Sequence, residues 1–211
     1  METNRLSQLM TFTCGGELAR PATRAQETML AIVALALGLV LSSVWGIAAG
    51  SASAHLAAAN AFKVPMVILL SALTALPAGL VALRLTNARL APTQLASAFA
   101  TSIFGGTLVL ATLAPLVAIY YHTSNKAGVP LALGSVFVAL ATATLLFGRA
   151  VARRVREATG SETSGRTASL IAVVVLVTIF VAALLQYVAL AAPIIGQVGT
   201  AFDGGFDGVF R

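Results

Sequence analysis

The sequence predicts an all-α fold: a polytopic integral membrane protein, built as a five-helix transmembrane bundle. Of its 211 residues, 58% are hydrophobic and only 9% are charged, and the mean hydropathy is +0.94. An ordinary soluble domain carries roughly 25% charged residues. The second observation is spacing, because the apolar runs match the roughly 20 residues that a helix needs to cross about 30 Å of hydrocarbon.

The segment before the first apolar run, residues 1–27, is polar and of mixed charge, and we expect it in the cytoplasm. Apolar side chains recur in it near helical spacing, at Leu6, Leu9, Met10 and Phe12. This pattern favours a short helix on the membrane surface. Cys14 is the only cysteine, which excludes an intrachain disulfide and a thiolate metal cluster.

Five spans are expected in the middle of the chain. The transmembrane domain covers residues 28–195, with spans at about 29–51, 62–83, 94–121, 128–148 and 167–190. In the second span Pro65 falls near the first turn, where proline costs no helical hydrogen bond. Pro77 lies deep inside the same helix and should kink it, and the carbonyl it frees needs cover from a neighbouring helix or from Thr74.

The third span has Gly105 and Gly106 at its middle and Pro115 towards its end. Together with the mid-helix proline of the second span, they mark positions where a helix could bend and open a cavity. The fifth apolar run is longer than one span needs, so it either tilts or breaks at Pro193 and turns along the interface. The glycine-rich residues 196–211 are predicted to form a flexible external tail.

A polar, basic loop is expected after the fourth span. It begins with four arginines, at Arg149, Arg153, Arg154 and Arg156. Arginines just inside a membrane attract anionic lipid, at about 1 kcal/mol each near the surface. They also determine topology, and both roles are expected here.

Basic residues are unequally distributed between the two sides of the predicted spans. Ten of the 13 lysines and arginines fall on one side, and Lys63, Lys126 and Arg211 fall on the other. This bias places the N-terminus in the cytoplasm and the C-terminus outside, and it accounts for the net charge without a nucleic-acid partner. Four aromatic residues lie near the external ends of helices, as interface residues do: Trp45, Tyr120, Tyr121 and Tyr187.

Small residues are spaced for close contact between helices. Gly46 and Gly50 form a Gly-x-x-x-Gly pair, and Gly79 continues a row of small residues in the second span. We expect these faces to pack helices within one chain, with a homo-oligomer as the alternative. Gln186 is the main amide inside a span, where an interhelical hydrogen bond is its usual role.

The interiors of the five spans are expected to hold no ionisable residue, which disfavours a coupled transporter. A serine nucleophile needs a base within reach, and both histidines, His55 and His122, fall in predicted external loops. Ser135 with His122 is therefore a weak catalytic candidate. Neither the histidines nor Asp203 and Asp207 complete a metal site, so we expect no catalytic residue, no metal and no cofactor.

The second and third spans, FKVPMVILLSALTALPAGLVALRL and QLASAFATSIFGGTLVLATLAPLVAIYYH, resemble a known family. The residues that carry the likeness are Lys63-Val64-Pro65, Pro77 and Leu113-Ala114-Pro115. In these the chain is similar to uncharacterised bacterial multi-span membrane proteins loosely grouped with the Yip1-domain family. The resemblance implies five spans, a cytoplasmic N-terminus and a bacterial inner membrane, and eukaryotic members imply roles in membrane trafficking and organisation. Their acidic Asp-Leu-Tyr-Gly-Pro motif is missing here.

These observations predict a non-enzymatic membrane protein that organises lipid or partner proteins. Its partners would be the bilayer and either a protein or a second copy of the chain. The alternative is a passive channel, carrier or permease-like component, favoured by the prolines and the central glycines. A continuous polar path through the bundle would distinguish the two.

Overall fold

The structure is a computed structural model that describes residue 11, residues 24–85, 90–123 and 128–159, residue 171 and residues 173–186. The described part contains α-helices and no strand. Its long helices are α1 (Arg24–Ala49), α2 (Ala54–Leu85), α3 (Pro92–Thr123), α4 (Gly128–Thr159) and α5 (Val173–Gln186). The predicted all-α class is confirmed: α1 to α4 are long and apolar enough to cross a membrane, and α5 is shorter.

Some predicted segments lie wholly or mostly outside the described residues. They include Cys14, the turn at Pro193, the aromatic residue Tyr187 and the tail of residues 196–211. Of the expected surface segment, the structure describes Thr11, which is helical, and the final residues, which belong to α1. The fifth span, expected at residues 167–190, is described over α5 and at residue 171.

The helix α2 starts at Ala54 rather than at residue 62. The hydroxyl of Ser53 accepts a hydrogen bond from the Leu56 amide at 3.1 Å, which caps the first turn. The segment that follows is rich in alanine, the residue with the highest helix propensity. Pro65 therefore lies about three turns inside the helix, so its expected first-turn position is wrong.

The helix α3 begins with a cap that the sequence encodes locally. Pro92 occupies the first helical position, where its missing amide hydrogen costs nothing. The Gln94 side chain reaches back, and its Oε1 accepts a hydrogen bond from the Ala91 amide at 3.1 Å. This is the glutamine half of a capping box.

The helix α4 continues through the four arginines to Thr159, so the basic loop expected after residue 148 is wrong. Arginine and glutamate are good helix formers, and Arg153 pairs with Glu157 one turn later at 2.8 Å. The next residue that favours a helix end is Gly160.

From α1 to α4 consecutive helices run in opposite directions, since the end of each contacts the start of the next. The helix α3 packs against α1, α2 and α4. The end where the turn of residues 50–53 joins α1 to α2 is called the hairpin end here. The opposite end, where α1 and α3 begin and α2 and α4 end, is called the basic end. The halves of the bundle next to them are the hairpin half and the basic half.

Two clusters of buried side chains form most of the core. The cluster in the basic half joins α2, α3, α4 and α5, and its largest fully buried members are Phe147, Phe180, Leu95 and Leu176. The cluster in the hairpin half joins α1, α3 and α4 around Trp45, with alanines as five of its eight buried members. A smaller contact between α1 and α3 contains Leu30, Ala34, Ala100 and Phe104.

Candidate functional site

The four arginines expected to act together divide into two groups. Arg149 and Arg153 are exposed, one helical turn apart on the outer face of α4. Arg154 is only partly exposed and points the other way, where its Nη1 donates a hydrogen bond to the Gln94 carbonyl of α3. The structure describes the backbone of Arg156 within the same helix.

Arg154 also connects α4 electrostatically to the start of α1. Glu27 lies close enough to act on its charge, as does Glu157 on the same helix. Because Glu27 is in the first turn of α1, its carboxylate is also favoured by the positive end of that helix. Arg154 therefore links three helix ends at the basic end of the bundle.

The basic half of the core lies directly inside this arginine. Phe99, Phe147 and Phe180 come from three different helices and touch one another, with ring centroids 4.7 to 4.9 Å apart. Phe147 and Phe180 are stacked, and Phe99 meets both edge-on. These geometries are the favourable ones for aromatic pairs, and they fix α5 against α3 and α4.

The glycines predicted for helix packing lie at close contacts within the chain. A Cβ at Gly46 would come within 2.8 Å of the Asn60 carbonyl carbon, and one at Gly50 would come within 2.6 Å of the Ala57 backbone. A Cβ at Gly79 would lie 3.1 Å from the Leu95 side chain. Each of these glycines faces a neighbouring helix of the same chain.

The central glycines of α3 are also buried. A Cβ at Gly106 would lie 2.9 Å from the Ala143 Cβ and 3.0 Å from the Ala139 carbonyl oxygen of α4. Gly105 is buried beside it. Gly106 therefore lies at the close contact between α3 and α4.

Two prolines were expected to form a hinge, and both are directed away from the bundle. Pro77 and Pro115 are both exposed on the outer surface, and each lies inside an uninterrupted helix. The Thr74 hydroxyl donates to the carbonyls of Leu70 and Ser71. The expectation that Thr74 covers the carbonyl freed by Pro77 is therefore wrong, since that carbonyl belongs to Leu73.

The indole of Trp45 faces the interior and not the membrane interface that was expected. It is 2% exposed, and its Nε1 donates to the Ser135 hydroxyl of α4 at 3.0 Å. The Ser135 hydroxyl in turn donates to the Ala132 carbonyl at 2.7 Å. This serine, the catalytic candidate of the sequence, thus joins α1 to α4.

The two histidines lie in helices rather than in the predicted external loops. His55 is in the first turn of α2 and His122 is in the last turn of α3, and both are exposed. Among the described residues, no group of three or more His, Cys, Asp and Glu side chains is placed to hold a metal ion.

Sequence reasoning did not predict that two polar residues of α2 are wholly or partly buried. Asn60 is 0% exposed, and Lys63 is partly buried about 14 Å along the helix from its start. Lys63 thus lies well inside α2 and not near its start, because the apolar run alone does not show where that helix begins. Ser53, with its capping hydroxyl, and the alanines after it were the available signal.

Comparison with known proteins gives no relative: no family model, no curated protein and no solved structure matches this chain.

Proposed function

We propose that the chain is a non-enzymatic integral membrane protein that organises lipid or partner proteins, Yip1-like in its layout. In this proposal it resides in a bacterial inner membrane with the basic end in the cytoplasm and the C-terminus outside. The basic residues at that end support the orientation through the positive-inside bias.

The observation that supports this role best is the use of the buried hydroxyls. Buried serine and threonine side chains donate to carbonyls of their own helices: Ser42, Ser71, Ser97, Thr101, Ser102, Thr107 and Ser135. A hydroxyl group used in this way has no hydrogen left to donate to a solute or to a reacting atom. The helices instead meet at glycine and alanine contacts in the hairpin half and at large apolar side chains in the basic half, which favours a packed scaffold.

The test is to purify the tagged full chain from its native membrane in mild detergent. Co-purifying proteins and lipids are then identified by mass spectrometry. We expect a stoichiometric protein partner or a retained, selective set of lipids. Gly134→Leu serves as the control variant, because nothing lies within 4 Å of a Cβ at Gly134 and the bundle should remain intact.

A passive channel, carrier or permease-like component is the second candidate. Lys63 and Asn60 favour it, because polar groups inside a membrane helix usually serve function. Solute flux from proteoliposomes tests this candidate. Flux that is abolished by Lys63→Met or by a bulky residue at Gly106, and retained in Gly134→Leu, would replace the scaffold proposal.

A further inference from the structure

The outer face of α4 changes from apolar to basic along a single stripe. Leu145 is 61% exposed and Val138 is 52% exposed, and Arg149 and Arg153 follow on the same face at helical spacing. From Val138 to Arg149 the helix rises about 16 Å. This is close to the roughly 15 Å of hydrocarbon in one leaflet, half of a bilayer core.

The two arginines at the top of the stripe lie one helical turn apart on α4. Arg153 pairs through its Nε with Glu157, and 44% of its side-chain surface is still exposed. Arg149 lies one turn earlier and is exposed. Two guanidinium groups one turn apart match the oxygens of a phosphate, which guanidinium groups bind by charge-assisted hydrogen bonds.

Arg154 does not belong to this arrangement, although it is adjacent in sequence. Its guanidinium is directed inward to the Gln94 carbonyl, close to Glu27. Arg84 is exposed at the same end of the bundle but belongs to α2. It therefore provides a matched positive charge outside the stripe.

We propose that Arg149 and Arg153 bind the phosphate of an anionic phospholipid whose acyl chain lies along Leu145 and Val138. This inference rests on the proposed function and names the lipid class that the protein would organise. The occupant is assigned by charge complementarity at the arginines and by the length of the apolar stripe. A zwitterionic lipid offers the same acyl chain, but its cationic headgroup opposes the two guanidinium groups.

The experiment is native mass spectrometry of the detergent-purified full chain, titrated with phosphatidylglycerol or phosphatidylcholine. Arg149→Gln and Arg153→Gln should each weaken phosphatidylglycerol binding about fivefold, and phosphatidylcholine binding should not change. Arg84→Gln removes one charge at the same end and should change phosphatidylglycerol binding less than about twofold. All three side chains are exposed, so the variants should fold, which their unfolding midpoints will show.

Three results would overturn the assignment. In the first, Arg84→Gln weakens binding as much as the α4 variants, which would indicate a diffuse surface charge. In the second, Arg149→Gln and Arg153→Gln bind phosphatidylglycerol as the wild type does. In the third, inorganic phosphate binds as tightly as the lipid, so that the acyl chain contributes nothing.

Failure of this inference and failure of the proposed function give different results. If the α4 variants bind lipid normally but a partner protein co-purifies, only the lipid site is wrong. If no lipid or partner is retained and the proteoliposomes show flux that depends on Lys63, the scaffold function itself is wrong.

Discussion

In the basic half of the bundle large side chains fill the space between helices, whereas in the hairpin half the backbones themselves approach closely. Phe99, Phe147 and Phe180 form a three-ring contact in the basic half. In the hairpin half Gly46 and Gly50 leave no room for a Cβ against α2. A bilayer offers little hydrophobic driving force for helix association, so each half depends on close packing, which the two halves reach in different ways.

The two kinds of packing should fail differently. A core of large side chains is weakened when a ring is removed, but its backbone stays in place and neighbouring side chains can shift into the space. At a backbone contact such as that of Gly46 with Asn60, no side chain can move aside, because the Asn60 carbonyl is part of the hydrogen-bonded helix α2. The hairpin half should therefore be intolerant of added volume, and the basic half should be sensitive to lost volume.

The largest expected effect is that of Gly46→Leu. A Cβ at this position would already lie within 2.8 Å of the Asn60 carbonyl carbon, so α1 and α2 must separate, at a cost of more than about 3 kcal/mol. Reversible unfolding in mixed detergent micelles measures this cost. Gly134→Leu adds the same volume in open space and should change stability by less than about 0.5 kcal/mol. Equal effects of the two variants would contradict the backbone contact.

The next effect is that of Phe147→Ala, which tests the aromatic core of the basic half. Phe147 is 0% exposed, and removing its ring should cost about 3 kcal/mol. Leu145→Ala on the same helix is the control, because Leu145 is 61% exposed and lipid can replace its contacts. Unfolding midpoints in detergent decide the comparison. If Leu145→Ala lowered the unfolding midpoint as much as Phe147→Ala, the stability of the basic half would not depend mainly on the buried aromatic cluster.

The fold class could be predicted from composition and run length, since no soluble fold tolerates so little charge. The bounds of α2 and α4 could not be predicted from hydropathy. The start of α2 depends on the Ser53 cap and on alanine propensity, and α4 continues through arginines because a membrane helix need not end at the membrane surface. The contacts of Trp45 depend on how the helices pack, which hydropathy alone does not show.

Only one part of the candidate site, the presence of a basic group, could be predicted from the sequence. The sequence indicated a basic group at residues 149–156, but it gave no reason to separate Arg154 from its neighbours. That separation follows from helical geometry, because Arg154 falls near the buried face of α4 while Arg149 and Arg153 fall outside it. If α4 is taken to continue through residues 149–156, the helical spacing of the arginines predicts that Arg149 and Arg153 lie outside and that Arg154 lies near the buried face.

A third test compares Arg154→Gln with Arg153→Gln at the basic end. Arg154 donates a charge-assisted hydrogen bond to the Gln94 carbonyl in a partly buried place, so its loss should cost about 2 kcal/mol. Arg153 makes an exposed ion pair with Glu157, and its loss should cost less than about 0.5 kcal/mol. Unfolding in detergent at low and high salt measures both. If Arg153→Gln lowers the free energy of unfolding as much as Arg154→Gln does, the proposed difference between the two arginines is wrong.

The smallest expected effect concerns the hydrogen bond that joins α1 to α4 in the hairpin half. Ser135→Ala removes the acceptor of the Trp45 indole and should cost about 0.6 kcal/mol, the average for such bonds in membrane bundles. Trp45 is the only tryptophan, so the fluorescence comes from this indole alone, and loss of the hydrogen bond should shift its emission to the blue. Ser71→Ala is the control, because the Ser71 hydroxyl bonds within α2. A hairpin half held together by backbone contacts should lose this bond with little change in its unfolding midpoint. A large destabilisation by Ser135→Ala would instead mean that a side-chain hydrogen bond, and not the close approach of the glycines, holds α1 in place.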